Sequence, residues 1–140
     1  MMIPNEMMLG DYFLVGKDNK RYMFVDSIND SHIMFDYKGN NGYLYESRRE
    51  YIYPIPITDE LLSKLGFERN ESLKDYDFDE WDSKDHRISI NHLSNSNDRD
   101  WSIHIDNEDF ETIGKIDFQY LHELQQAVRL ITKKELTIKL

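Results

Sequence analysis

Two hydrophobic periodicities run along the chain. Between residues 10 and 54, runs rich in Tyr, Phe, Val and Ile alternate with turn residues: DYFLV, RYMFVDS, HIMFDY, YLYES and EYIYP. Gly16, Asp18-Asn19, Asn29-Asp30, Gly39 and Asn41-Gly42 fill the gaps. Aromatic and β-branched side chains suit a pleated, half-buried surface, and Gly, Asn and Asp supply the backbone of tight turns. Asn41-Gly42 lies between two aromatic runs, and both residues tolerate positive φ, which predicts a hairpin. Five short strands at this spacing predict an SH3-like barrel or bent sheet over residues 1–57.

Pro54 and Pro56 then hold the chain extended. Thr58 fits an N-cap, with Asp59 and Glu60 in the first turn, Leu61, Leu62 and Leu65 as an apolar stripe, and Gly66 at the left-handed end position. The pattern predicts a linker helix over 58–67 that must dock to persist, because it is too short to be stable alone. Beyond it the period returns to two. Ile88, Ile90 and His92 alternate with Ser89 and Asn91, and Trp101, Ile103 and Ile105 alternate with Ser102, His104 and Asp106. With FETIGKI these predict an antiparallel meander with one buried face.

The last long stretch has helical period. Phe118, Leu121, Leu124, Val128 and Ile131 fall on one face, and Gln119, His122, Gln125, Gln126 and Arg129 on the other. Asp117 is the predicted cap, and Lys133 and Lys134 sit where the helix dipole favours cations. The helix should cover the meander, and ELTIKL follows as a closing strand or a tail. The predicted fold class is α+β, with residues 68–140 as meander plus C-terminal helix and the whole chain as one compact unit.

Charge changes this picture in the middle of the chain. Of the 140 residues, 27 are acidic and 17 basic, net −10. Residues 58–117 alone carry seventeen acidic and seven basic side chains. Such a surface repels phosphate backbones, so general nucleic-acid binding is not expected. There is no cysteine, which removes disulfides and thiolate metal sites and fits a reducing cytoplasm. No apolar run approaches the ~20 residues of a membrane span, and MMIPNEMMLGDYF lacks the basic region and apolar core of a secretory signal. The expectation is a cytoplasmic protein.

Three stretches carry a resemblance: LGDYFLV, PIPITDELLSKLGF and LHELQQAVRLITKKELTIKL. In this order they resemble a group of small proteins encoded in phages, prophages and mobile elements of gut anaerobes, with the pattern P-I-P-L-T-E-E-x-L-x-x-x-G-F … H-x-L-Q-N-L-Y-x-A-L-T-G-E-E-L. Gly10-Asp11-Tyr12, Pro54 to Phe67, and His122, Leu124, Gln125, Glu135 and Leu136 stand in corresponding places. The chain departs from the pattern at Val128-Arg129-Leu130, at Lys133-Lys134, and in a longer acidic insert after Phe67. The resemblance implies a phage-associated accessory protein and carries over no catalytic residue.

Two constellations could bind something. In KDYDFDEWDSKD, the carboxylates of Asp75, Asp77, Asp79, Glu80, Asp82 and Asp85 form a candidate acidic face for a basic protein surface, by imitation of phosphates. A calcium loop is not expected there, because the sixth and twelfth positions counted from Asp75 are Glu80 and His86 instead of Gly and Glu. The competing reading is a solvated hairpin anchored by Tyr76, Phe78 and Trp81. The second constellation is Arg48, Arg49 and Lys38 with Tyr43 and Tyr45, near Lys20-Arg21, Tyr51 and Tyr53. Cations beside aromatic faces suit a stacked base and a phosphate, so a small nucleotide is the candidate ligand. Its competing reading is an ordinary sheet edge with solvated Arg.

Chemistry beyond binding has little to stand on. The five histidines show no metal-binding spacing, no Ser lies in a Gly-x-Ser-x-Gly setting, and no Gly-rich phosphate loop is present. The sequence therefore predicts a non-catalytic binder without metal or cofactor. Its expected partner is a host protein or a small nucleotide, and a homo-oligomer through the glutamine-rich helix face is open.

Overall fold

A computed structural model describes residues 7–28, 33–36, 45–46, 49–71, 78–83, 88–93, 101–106, 112–133, 136 and 138. The fold is α+β and divides into two compact units: residues 1–56 with 120–122, and residues 57–119 with 123–140.

The first unit is one antiparallel sheet. Its strands are β1 (Tyr12–Val15), β2 (Arg21–Ile28), β3 (Ile33–Asp36), β4 (Tyr45–Glu46) and β5 (Ile52–Tyr53). They run in the order β4-β3-β2-β1-β5, with a 3₁₀ turn at Arg49–Tyr51 leading into β5. Among the described residues β4 and β5 do not pair, so the sheet is open. Period-two alternation decides its faces. Phe13, Val15, Met23, Val25, Ile33, Phe35 and Ile52 are buried with Met7, while Tyr12, Leu14, Phe24, Met34 and Tyr53 stay half-exposed on the other side. The Asn41-Gly42 turn lies outside the described residues.

The first unit also buries a carboxylate. Asp11 is fully buried, and its Oδ2 accepts the Met8 amide at 2.9 Å. Its own amide donates to the Met8 carbonyl at 3.1 Å, and its carbonyl accepts from Val25 at 2.9 Å. The acid thus ties the incoming chain to the sheet. A buried polar group needs such partners, because leaving it unmet costs several-fold more than the bond contributes.

The second unit opens with α1 (Asp59–Lys64). Thr58 is its N-cap as expected: extended at φ −135°, it accepts the Leu61 amide on Oγ1 at 3.2 Å. Gly66, at φ 90°, takes the left-handed position after the helix. Leu61, Leu62, Leu65 and Phe67 are buried. The helix leads into β6 (Phe67–Arg69), β7 (Phe78–Ser83), β8 (Ile88–Leu93), β9 (Trp101–Asp106) and β10 (Thr112–Phe118), an antiparallel meander in sequential order. Trp81, Ile90, Ile103 and Ile116 stand in register across it, and the first three are buried. Glu80, Asp82, Ser89, Asn91, Ser102 and His104 alternate to the opposite, half-exposed face.

The closing helix, α2 (Leu121–Thr132), begins later than its periodicity predicts. Asp117 does not cap it, and Phe118 is not in it. Both belong to β10, opposite Ser102 and Trp101. The Leu121 amide instead donates to the Ile55 carbonyl at 2.8 Å, and Glu123 reaches back to the Gln119 amide at 3.2 Å. Leu121, Leu124, Ala127 and Val128 are buried, but so are His122 at 3% and Gln125 at 1% exposure. Gln125 is thus not on a free seam. Lys133 follows the helix in a left-handed conformation, φ 58°. Of ELTIKL, Leu136 and Ile138 are described and neither lies in a strand.

Candidate ligand-binding face

The turn between β1 and β2 places two cations over two rings. Gly16 sits at φ 130°, where a Cβ would come within 2.7 Å of the Asn19 carbonyl oxygen, so only glycine fits this tight reversal. The Gly16 amide donates to the Tyr51 carbonyl at 3.0 Å, which fastens the turn beside the 3₁₀ segment. As a result Lys20 Nζ lies 4.1 Å from the centre of the Tyr53 ring, and Lys17 Nζ lies 6.0 Å from that of Tyr51. Both lysines are exposed. Exposed pairs of this kind contribute about 0.5–1 kcal/mol.

The adjoining sheet face is aromatic. Leu14 stands opposite Tyr22 on one side and Tyr53 on the other. Tyr22 is 49% exposed, an unusual state for a ring within a strand. In the next row Tyr12 faces Phe24, ring centres 5.6 Å apart and tilted by 53°. Partial burial raises the Tyr12 phenol above its ordinary 10.0, because the charged form loses hydration. The sequence marked Lys20-Arg21, Tyr51 and Tyr53 only as neighbours of the candidate nucleotide site. Among the described residues the lysines and tyrosines form its core. Arg48, Lys38 and Tyr43 lie outside the described residues. Arg49 starts the 3₁₀ turn and Tyr45 starts β4, and their side chains are likewise outside the description.

The acidic stretch divides. Asp75, Asp77 and Asp85 lie outside the described residues. Asp79, Glu80 and Asp82 fall in β7, where alternation sends Asp79 to the side of Trp81 and the other two to the polar face. Each already has a partner. Arg69 is bound to Asp79 through its guanidinium, Asn70 donates to Glu80 at 3.0 Å, and Ser89 donates to Asp82 at 2.9 Å. The bond from Asp79, then its charge, raises the Arg69 pKa above its ordinary value. The described members therefore do not share one face.

His92 stacks on Trp101, and His104 Nε2 lies 3.2 Å from Ser102 Oγ. His122 lies in the first unit with its ring 4.9 Å from that of Phe13 and 6.0 Å from that of Tyr120. Sequence reasoning placed His122 and Gln125 on a polar helix face and missed the burial of Asp11. Among the described residues no three His, Asp or Glu side chains are grouped to hold a metal ion, and no helix is long and apolar enough to cross a membrane. No protein-family model, curated protein or solved structure matches this chain.

Proposed function

We propose that this chain is a non-catalytic accessory protein of a phage or mobile element that captures a small nucleotide on its first unit, removing a host defence signal. The observation that carries this reading is Lys20 held 4.1 Å over Tyr53, two strands from the exposed ring of Tyr22. A base stacks on Tyr22 beside Leu14, and the phosphate takes the ammonium of Lys20, with Lys17 behind it. Two strand spacings, about 10 Å, separate those ends of the site. One stacked base contributes about 1–3 kcal/mol. The order β4-β3-β2-β1-β5 with a 3₁₀ turn before the last strand supports an SH3-like reading of this unit, though its described part is open.

The alternative mode, docking of the acidic stretch on a basic host protein, asks Asp79, Glu80 and Asp82 to give up Arg69, Asn70 and Ser89. It also needs carboxylates from two faces at once, so the nucleotide reading stands ahead of it. A phage accessory role without any link to defence is the remaining alternative. Isothermal titration with a panel of linear and cyclic mono- and dinucleotides tests the capture reading. Saturable heat with at least one is the expected outcome, and silence with all of them removes it.

A further inference from the structure

We infer that the ligand of the first unit carries two bases joined through one phosphodiester: a dinucleotide, not a mononucleotide. Given the nucleotide reading above, on which this rests, a single base on Tyr22 leaves the next row of rings uncovered. That row is Tyr12 and Phe24, directly opposite each other on β1 and β2, with ring centres 5.6 Å apart and planes tilted by 53°. Both are half-exposed. A tilted pair offers a flat ligand one ring face to stack on and a second ring at its edge. Phe24 is two residues along β2 from Tyr22, so both rings are on the same side of the sheet and about 7 Å apart.

The cation stands where one phosphate serves both rows. Lys20 Nζ lies over Tyr53, which pairs with Leu14. From Tyr53, Tyr22 is two strand spacings away in its own row, about 10 Å, and Tyr12 is the diagonal neighbour at about 7–8 Å. A phosphodiester held at Lys20 therefore has a ring of each row at similar reach. Its two nucleosides diverge, one base onto Tyr22 and the other onto the Tyr12–Phe24 pair. Sheet-borne aromatics take splayed, single-stranded bases in this way. Charge sets the upper limit on length. Extension past Phe24 carries a longer strand toward Asp36, which β3 sets opposite that residue. The net charge of −10 opposes each further phosphate as well.

Titration calorimetry on the full chain tests this with dinucleoside monophosphates of each common base. Each is compared with the matching nucleoside methyl phosphate, which keeps the single charge and lacks the second base. For at least one base the two-base ligand should bind about tenfold or more tighter, the effect of one further stack. Tyr12→Leu/Phe24→Leu keeps apolar bulk in the sheet and removes both rings of the second row. It should bring the two-base ligand down toward its one-base counterpart and leave the latter unchanged. Equal affinity of one- and two-base ligands for the wild type overturns the inference while the nucleotide reading stands, and that comparison needs no variant. A folded double variant that retains the full difference overturns it too, as does a ten-residue strand bound more than about tenfold tighter than the dinucleotide. Silence from one-base and two-base ligands alike removes the nucleotide reading and the two-base ligand with it.

Discussion

The imidazole of His92 lies flat on the indole of Trp101, ring centres 4.3 Å apart and planes 19° from parallel. The two residues are directly opposite in the β8–β9 ladder, and Trp101 is 4% exposed. Register produces this contact: Ile88, Ile90 and His92 share a side of β8, so the histidine extends an apolar row instead of facing water. An aromatic pair of this kind contributes about 0.5–1.5 kcal/mol beyond the area it buries.

His92→Ala should therefore lower unfolding free energy by about 1 kcal/mol. Urea denaturation reads the loss, and the near-UV circular dichroism of Trp101 should change with it. His92→Phe, which keeps a ring on the indole, should retain most of the stability.

Two glycines with positive φ should respond differently to alanine. At Gly66, φ 90°, a Cβ meets nothing within 4 Å, so Gly66→Ala bears only left-handed strain, about 1–2 kcal/mol. At Gly16 the new Cβ also collides with the Asn19 carbonyl, which is backbone and cannot swing aside. Thermal melts should place Gly16→Ala clearly below Gly66→Ala, and Gly16→Ala should disturb the Lys20–Tyr53 contact as well.

Lys133 stands at φ 58°, a left-handed conformation that glycine usually supplies at a helix end. Lys133→Gly should stabilise by about 0.5 kcal/mol, the relief of left-handed strain less glycine's greater unfolded-state freedom. A lower melting temperature would show that the lysine side chain itself contributes there.

Burial raises the Tyr12 phenol, so the folded chain resists its ionisation. The stability concerned is intact below the ordinary 10.0 and is lost as pH rises through the higher folded value. The Arg69 guanidinium is raised in the same direction by Asp79, so its loss also falls at the alkaline extreme and leaves neutral pH untouched. Denaturation midpoints should be flat near neutrality with respect to both groups and decline above pH 10. Tyr12→Phe should soften that decline.

Much of the fold was legible in local chemistry. Aromatic runs and turn residues placed all five strands of the first sheet, and Thr58 and Gly66 bounded α1. The start of α2 was not legible, because Phe118 lies three residues before Leu121 and satisfies a helical stripe as well as a strand. Only pairing with Trp101 decides between them, and that contact is distant in sequence. Period two should have separated Asp79 from Glu80 and Asp82, since neighbours in a strand face opposite ways. Composition hid this by presenting the acids as one run. The burial of Asp11, His122 and Gln125 depends on partners elsewhere in the chain. No local pattern shows a polar side chain to be internal.

Nucleotide capture rests on the Lys/Tyr face of the first unit, and titration calorimetry of two proteins side by side tests it most directly. If the wild type binds a nucleotide, Lys20→Ala/Tyr22→Leu should lose about tenfold or more in affinity while staying folded, its melting temperature lower by only about 2–4 °C for the lost Lys20–Tyr53 contact, since the exposed Tyr22 ring and a phosphate contact are both removed. Binding of equal strength in wild type and double variant would contradict the account, as would no binding in either.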